Sequence, residues 1–232
     1  GAKRDGAGNV SYTLTAGNIS LGTVDSLTGT SNSLALNSSG VTSLGVVGGT
    51  TALGGLTTDA GGTTTLSGNV TTSGNQSYGD QVILATGVTL TGDTGTFTGG
   101  LNGSTNDLVL NFSGLTTIDG SSTFTNIGNL TSTGPTALNA TVQTIGNQTY
   151  SGNVSLTGTT TLEGNAGTFS AAVQGGNNDL TLNFTQETTI DGSQTFANVA
   201  NLTSIGDVAV NGAITTNGFQ NYAANVSLAG DT

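Results

Sequence analysis

Several residue types that carry chemistry in proteins are missing from this chain of 232 residues. It has no Cys and no His, and its only basic residues are the neighbours Lys3 and Arg4. Without Cys and His, disulfides, thiolate metal sites and Ser-His-Asp or Cys-His catalysis are excluded within the chain. Because clustered Lys and Arg must replace the counterions of phosphate groups, nucleic-acid binding and attraction to anionic lipid are excluded as well.

Charged and apolar residues are also scarce. Only 6% of the residues are charged and 33% are hydrophobic, and 13 acidic against 2 basic residues give a formal net charge of -11. No run approaches the roughly 18 apolar residues that a membrane helix needs, so we expect no membrane insertion in this segment. The first residues lack the basic and apolar regions of a signal peptide, and we expect any such peptide to have been removed or to lie outside this piece.

The residues that fill the chain are those of strands and tight corners. Gly accounts for 39 residues, and Thr, Ser and Asn are abundant, whereas Pro occurs once. Disordered chains usually carry many charges and prolines, and this one carries few of either. Thr favours strands, while Gly and Asn favour turns. The composition therefore predicts an all-β protein with many short strands.

A long sequence repeat runs through the chain. The segment GNQSY at 74–78 returns as GNQTY at 146–150 and, more weakly, as GFQNY at 218–222, so the period is 72 positions. The other landmarks keep this spacing, which divides the chain into units at approximately 6–77, 78–149 and 150–221, with a partial fourth unit at 222–232. We expect residues 1–232 to form a single continuous array.

Each repeat reads as a series of short strands in which apolar residues alternate with Thr, Ser or Asn. Similar strand starts occur at positions 107, 129, 153 and 179. Strands this short bury their apolar side only when coils stack on one another. The pattern predicts a parallel β-helix, or β-solenoid, with about 24 residues per coil, three coils per repeat and a rod roughly 45 Å long. We expect this helix to be right-handed, from general chirality rules and from the family resemblance described next, and not from these residues.

Several segments resemble the repeats of large filamentous-haemagglutinin-like bacterial exoproteins. They are VGGTT, LTTDAGGTT, QSYGD and VTL, at 47–51, 56–64, 76–80 and 88–90. The resemblance implies a β-helical shaft, export through an outer-membrane secretion route, and roles in adhesion, aggregation or surface filaments. It therefore implies a protein that is secreted and located at the bacterial cell surface or outside the cell.

Carboxylates are the only candidate catalytic or metal-binding groups. Asp107 and Asp119 recur as Asp179 and Asp191, and such pairs could serve a two-carboxylate glycosidase or bind Ca²⁺ weakly. Each of them lies beside Asn or Gly, which is typical of a corner residue. We therefore expect no enzyme activity, no cofactor and no required metal, with adventitious calcium left open.

Aromatic residues recur with the repeat. Tyr78, Tyr150 and Tyr222 could contact sugars if they lie on one exposed face, and would otherwise seal a corner. The recurring phenylalanines are interpreted as core residues rather than as a ligand platform; they are Phe97, Phe112 and Phe124, followed by Phe169, Phe184 and Phe196.

Three functions remain open at this point. The preferred one is a structural shaft or filament-forming segment, with end-to-end self-association through unpaired strand edges as an open variant. The alternative is an adhesin face that binds carbohydrate or a host-surface glycan or protein receptor, and a glycan-acting enzyme ranks below both. Ice binding is disfavoured, because it needs the same T-x-T pattern on every coil and the Thr positions scatter along the sequence.

Overall fold

The structure is a computed structural model that describes residues 2–4, 9–119, 123–191 and 195–228. Over these residues the chain contains no helix, and three parallel sheets form a β-solenoid of about 11 turns with about 20 residues per turn. The predicted all-β parallel solenoid is confirmed. At about 4.8 Å per turn the rod is about 50 Å long, slightly longer than predicted.

Short strands follow one another along the whole described chain. They are β1 (Ala2–Arg4), β2 (Val10–Ala16), β3 (Ile19–Leu21), β4 (Ser33–Ser38), β5 (Val41–Leu44), β6 (Gly55–Thr58), β7 (Thr63–Leu66), β8 (Val70–Thr71), β9 (Gln76–Tyr78), β10 (Gln81–Leu84), β11 (Val88–Gly92), β12 (Gly95–Phe97), β13 (Leu101–Asn102), β14 (Leu108–Phe112), β15 (Thr116–Ile118), β16 (Phe124–Ile127), β17 (Leu130–Ser132), β18 (Thr136–Leu138), β19 (Thr141–Thr144), β20 (Gln148–Tyr150), β21 (Val154–Leu156), β22 (Thr160–Gly164), β23 (Gly167–Phe169), β24 (Val173–Gln174), β25 (Leu180–Phe184), β26 (Thr188–Ile190), β27 (Phe196–Val199), β28 (Leu202–Ser204), β29 (Val208–Val210), β30 (Ile214–Thr216), β31 (Gln220–Tyr222) and β32 (Val226–Leu228).

Every third strand joins the same sheet once the coils are established. Sheet A has the order β1-β2-β4-β6-β9-β12-β15-β18-β21-β24-β27-β30. Sheet B has the order β3-β5-β7-β10-β13-β16-β19-β22-β25-β28-β31, and sheet C runs from β8 through β11, β14, β17, β20, β23, β26 and β29 to β32. The exception to parallel pairing among the described strands is β1, which lies antiparallel to β2 and covers one edge of sheet A.

The core lies inside the coil and is continuous from turn to turn. In β14, Leu108, Leu110 and Phe112 point inward and are buried, whereas Val109 between them faces outward. This period-2 alternation recurs in most strands, as the sequence pattern predicts. All six recurring phenylalanines are buried, which confirms that they are core residues and not a ligand platform.

The coils are shorter than predicted. Ser132 is the partner of Tyr150, and Tyr150 is the partner of Phe169, so the chain advances by only 18 and 19 positions in these turns. Near the start of the chain Ile19 pairs with Thr42, an advance of 23 positions that is close to the predicted coil length. Later coils are shorter because their strands are joined by corners of only a few residues.

The sequence repeat is not a whole number of turns. Strands β9 to β19 recur one repeat later as β20 to β30, so each repeat contains eleven strands. Eleven strands make about 3.7 turns, and the predicted three coils per repeat is therefore wrong. As a consequence each copy of the repeat is displaced by one face: β9 lies in sheet A, β20 in sheet C and β31 in sheet B.

One turn of the second repeat contains backbone strain that the third repeat avoids. Ser104 and Thr105 have φ values of 48° and 69°, and their counterparts Gly176 and Asn177 have φ values of 56° and 62°. A β-branched residue is the least suited to this left-handed conformation, whereas Asn and Gly tolerate it.

We expect Thr105→Asn to raise the free energy of unfolding by about 1 kcal/mol, because it relieves the strain at that position. Urea titration followed by circular dichroism measures the change. The reciprocal substitution Asn177→Thr is the matched control and should lower stability by a similar amount. Equal effects of the same sign would contradict the explanation.

Candidate functional site

The three repeated tyrosines do not form an exposed row. Tyr78 and Tyr150 have only 0% and 1% of their surface exposed, so of the two interpretations left open for these residues the interior one holds and the exposed one does not. Tyr222 is half-buried in the last described turn. Because each copy of the repeat is displaced by one face, the three residues also lie in different sheets, namely A, C and B. Tyr78 and Tyr150 are therefore interior residues, and the three tyrosines do not form a common recognition surface.

Each of these tyrosines is paired with a glutamine that precedes it by two positions. The Tyr78 hydroxyl donates to Gln76 Oε1 at 2.8 Å, and Gln76 Nε2 donates to the carbonyl oxygen of Thr91 at 2.9 Å. The Tyr150 hydroxyl donates in the same way to Gln148 Oε1 at 2.9 Å. Burial raises the pKa of Tyr78 and of Tyr150 far above the ordinary value. These hydroxyls are thus neutral structural donors.

Two of the candidate aspartates are corner residues. Asp107 Oδ1 accepts from the backbone N–H and the side-chain Nδ2 of Asn129, at 2.7 and 3.0 Å. Asp179 Oδ1 accepts from the same two groups of Asn201, at 3.1 and 2.8 Å. Each carboxylate therefore ties one turn of the coil to the next, in agreement with the interpretation of these residues as corner Asx residues.

The other two candidates lie at different corners. Asp119 follows β15 of sheet A and Asp191 follows β26 of sheet C, and both are exposed. Asp107 instead precedes β14 of sheet C, so the structure places Asp107 and Asp119 at separate corners rather than across a common groove. Within the described ranges no group of three or more His, Cys, Asp or Glu could hold a metal ion. Weak calcium binding by single aspartates stays a prediction.

Asparagine side chains extend these corner contacts along the rod. Asn129 Oδ1 accepts from the backbone N–H of Asn147 at 2.9 Å, and Asn147 Oδ1 accepts from Asn165 Nδ2 at 2.9 Å. Together with Asp107 these residues form a ladder over four successive turns at the corner that precedes sheet C. The abundance of Asn in the sequence thus serves the contacts between coils.

Asp80 is a buried carboxylate that the sequence analysis did not single out. It has 2% of its surface exposed and lies where the chain passes from sheet A to sheet B. Its oxygens accept from Thr58 Oγ1 at 2.7 Å and from Thr64 Oγ1 at 2.8 Å. The available signal was a break in the repeat, since the residue one repeat later is Gly152. Burial raises the pKa of Asp80, and the nearby Asp59 adds to this, whereas the two Thr hydroxyls oppose it.

The shifted pKa of Asp80 makes stability depend on pH. A carboxyl with a higher pKa in the folded than in the unfolded chain contributes stability below its unfolded pKa, and this contribution is lost as the pH rises through the folded pKa. We expect Asp80→Asn to raise the melting temperature at pH 7 and to have little effect at pH 3, because the amide is always neutral and can still bond both hydroxyls. Calorimetry at both pH values measures this, with the exposed Asp93→Asn as control; a lower melting temperature at pH 7 would contradict the expectation.

Two buried hydroxyls in the described part of the chain lack a hydrogen-bond partner. Among the described residues, Thr116 Oγ1 and its repeat counterpart Thr188 Oγ1 are buried and form no hydrogen bond. By contrast, the buried Thr136 Oγ1 lies 2.7 Å from Ser132 Oγ and shares a hydrogen bond with it. An unsatisfied buried hydroxyl costs free energy, whereas a satisfied one does not.

Replacing Thr116 by Val should therefore stabilise the protein by about 1 kcal/mol, since Val has nearly the same shape and no hydroxyl. Thr136→Val should have the opposite effect, because it breaks the bond to Ser132 and leaves that hydroxyl unsatisfied. Urea titrations of both variants decide the matter, and destabilisation by Thr116→Val would show that a buried group satisfies this hydroxyl after all.

A cavity of about 570 Å³ opens at the N-terminal end of the rod. Its walls are mostly apolar, and they include Tyr12, Leu14, Leu21, Val24, Leu34 and Leu53. The one carboxylate among its lining residues, Asp25, already accepts from the backbone N–H groups of Thr50 and Thr51 at 2.8 and 3.2 Å. This cavity does not contain the pair of carboxylates that a glycosidase needs.

Comparisons with known proteins suggest no function for this chain. No protein-family model, curated protein or solved structure matches the chain. The resemblance to filamentous-haemagglutinin-like repeats thus stays a prediction. Within the described ranges, no helix is long and apolar enough to span a bilayer.

Proposed function

We propose that this chain is a structural shaft or filament-forming segment of a secreted bacterial surface protein. The observation that carries the proposal is the core, which is filled by inward side chains turn after turn and bonded to the next turn on three faces. Because every turn contacts mainly its two neighbours, the stacked turns of such a fold form a long and stiff rod.

The surface fits this role as well. Outward positions on the strands are mostly Thr, Ser, Asn and small residues, and the chain carries a formal net charge of -11. Charge of one sign keeps neighbouring rods apart at low ionic strength, and salt or divalent cations reduce this repulsion. Secretion and location at the cell surface are part of the proposal and rest on the sequence resemblance.

An adhesive role for this segment has less support. It depended on a row of exposed aromatic residues, and Tyr78 and Tyr150 are interior. An enzymatic role would need two converging carboxylates, and Asp107 and Asp119 occupy different corners. The shaft therefore remains the function that the residues support best.

Electron microscopy and small-angle X-ray scattering of the purified chain test the proposal, with and without Ca²⁺. We expect stiff rods about 50 Å long, and rods about 18 Å shorter after deletion of residues 78–149, because one repeat contributes about 3.7 turns. Long filaments would identify the filament-forming variant. Flexible particles, or specific binding of the intact chain on a glycan array, would overturn the shaft.

A further inference from the structure

Three Asn-Gly pairs occur in the chain, at positions 102–103, 211–212 and 217–218. Such a pair can deamidate without an enzyme, when the backbone nitrogen of the glycine attacks the side-chain amide of the asparagine. Glycine favours this reaction because it has no Cβ atom to obstruct the approach and few restrictions on its backbone. The sequence alone makes the three pairs equally reactive, and the structure distinguishes them by the hydrogen bonds of the reacting groups.

The pair at 102–103 is held at both reacting groups. The backbone N–H of Gly103 donates to the carbonyl oxygen of Thr125 in the next turn at 2.8 Å, and Gly103 is buried. Asn102 Oδ1 accepts from the backbone N–H of Ser104 at 2.9 Å. The glycine nitrogen can attack only after its own hydrogen bond breaks, and the side chain that it must reach is bonded to another group.

The pair at 217–218 is held in a similar way, although it is exposed. The backbone N–H of Gly218 donates to the carbonyl oxygen of Ala200 in the preceding turn at 2.7 Å. Asn217 Nδ2 donates to Asn177 Oδ1 at 2.8 Å. Exposure alone would make this pair the most reactive of the three, and the two hydrogen bonds oppose its reaction.

Neither reacting group of the pair at 211–212 is held. Across the part of the chain that the structure describes, no hydrogen bond involves the backbone N–H of Gly212 or the side chain of Asn211. Both residues are half-buried, at the corner between β29 and β30. The corner itself is ordered by the backbone N–H of Asn211, which donates to the carbonyl oxygen of Ile190 at 2.9 Å. At this pair the attack breaks no hydrogen bond.

The corresponding corner one repeat earlier has the same backbone contact without the glycine. Asn139 stands in the place of Asn211, and its backbone N–H donates to the carbonyl oxygen of Ile118 at 3.0 Å. Ala140 stands in the place of Gly212. A corner of this kind therefore accommodates alanine, and we expect Gly212→Ala to fold.

We propose that Asn211 is a site of spontaneous deamidation in the folded protein. The nitrogen of Gly212 loses its proton and forms a bond to Cγ of Asn211, and the side-chain amide leaves as ammonia. Water then opens the resulting succinimide ring at either carbonyl carbon, which yields aspartate or isoaspartate. Either product adds a negative charge, and isoaspartate also lengthens the backbone between β29 and β30 by one atom. The inference is independent of the proposed shaft.

Incubation of the purified full chain in warm, mildly alkaline buffer tests the inference, with peptide mapping by mass spectrometry at intervals. We expect Asn211 to convert at least about fivefold faster than Asn102 or Asn217, because the other two pairs must first break a backbone hydrogen bond. In concentrated urea these bonds are absent, so the three rates should become similar. Gly212→Ala should slow the conversion of Asn211 and leave the other two rates unchanged, because its Cβ atom obstructs the attack.

Circular dichroism verifies that the wild type and the variant stay folded during the incubation. Equal rates at the three positions of the folded wild type, or faster conversion of Asn102 or Asn217 than of Asn211, would overturn the inference. Conversion of Asn211 in urea but not in the folded chain would overturn it as well, because the corner would then hold the pair in an unreactive conformation. These comparisons use the wild type alone and stand even if the variant does not fold.

Discussion

Replacing Gln148 by Ala is expected to lower the free energy of unfolding by about 3 to 5 kcal/mol. Gln148 Nε2 donates to the carbonyl oxygens of Val142 and Glu163, at 2.9 and 2.7 Å. Its Oε1 accepts from the Tyr150 hydroxyl, which is itself buried. The substitution removes the side-chain donor from both carbonyl oxygens, although that of Glu163 still accepts from Thr144 Oγ1 at 3.3 Å. It leaves the buried Tyr150 hydroxyl without its acceptor in the interior, where water does not replace the lost bond.

The third copy of the motif is an internal control for this result. Gln220 makes corresponding bonds, to the carbonyl oxygen of Ile214 at 3.2 Å and to the Tyr222 hydroxyl at 2.8 Å, but it is exposed. Water can replace these bonds, so Gln220→Ala should cost less than about 1 kcal/mol. Urea titrations of both variants give the comparison. Similar losses at the two positions would show that burial does not determine the cost.

Gly167→Ala is expected to cost about 3 kcal/mol through overpacking. A Cβ atom at this inward position would lie 2.4 Å from Cε2 and 2.7 Å from Cζ of the Phe184 ring in the next turn. The same arrangement occurs one repeat earlier, where a Cβ on Gly95 would lie 2.3 Å from Cε2 of Phe112. In both copies the aromatic ring fills the space that an inward side chain occupies elsewhere.

Two further variants test this explanation. Gly87→Ala should change stability by less than about 0.5 kcal/mol, because the nearest atom to its added Cβ, the carbonyl oxygen of Asp107, lies at an ordinary contact distance of 3.8 Å. Phe184→Leu removes the far end of the ring, and adding it to Gly167→Ala should cost less than the sum of the two single changes. Additive losses would contradict the proposed contact between this glycine and the ring.

The sequence predicted the environment of some of the candidate site residues but not of others. The sequence suggested that Asp107 and Asp179 are corner residues, since an Asp before a strand commonly bonds nearby backbone groups, and the structure agrees. Tyr78 was open to both an exposed and an interior interpretation, because a tyrosine can occupy either side of a strand. Asp80 was overlooked, since burial of a carboxylate depends on hydroxyls contributed by another turn.

By itself, the sequence determined the all-β fold, the stacking of coils and the direction of most side chains. Alternation of apolar and polar residues has the period of a strand, and this local property leads to inward residues such as Leu108 and Phe112. The long sequence repeat shows that equivalent segments have equivalent local structure. Both conclusions depend only on neighbours along the chain.

The tertiary structure alone decided the length of a turn and the face on which each copy of the repeat lies. A few residues more or less at a corner change the register between turns without changing the strands. The alternation of apolar and polar residues therefore does not reveal the length of a turn. Eleven strands per repeat on a three-sided coil displace each copy by one face. This displacement separates Tyr78 from Tyr150.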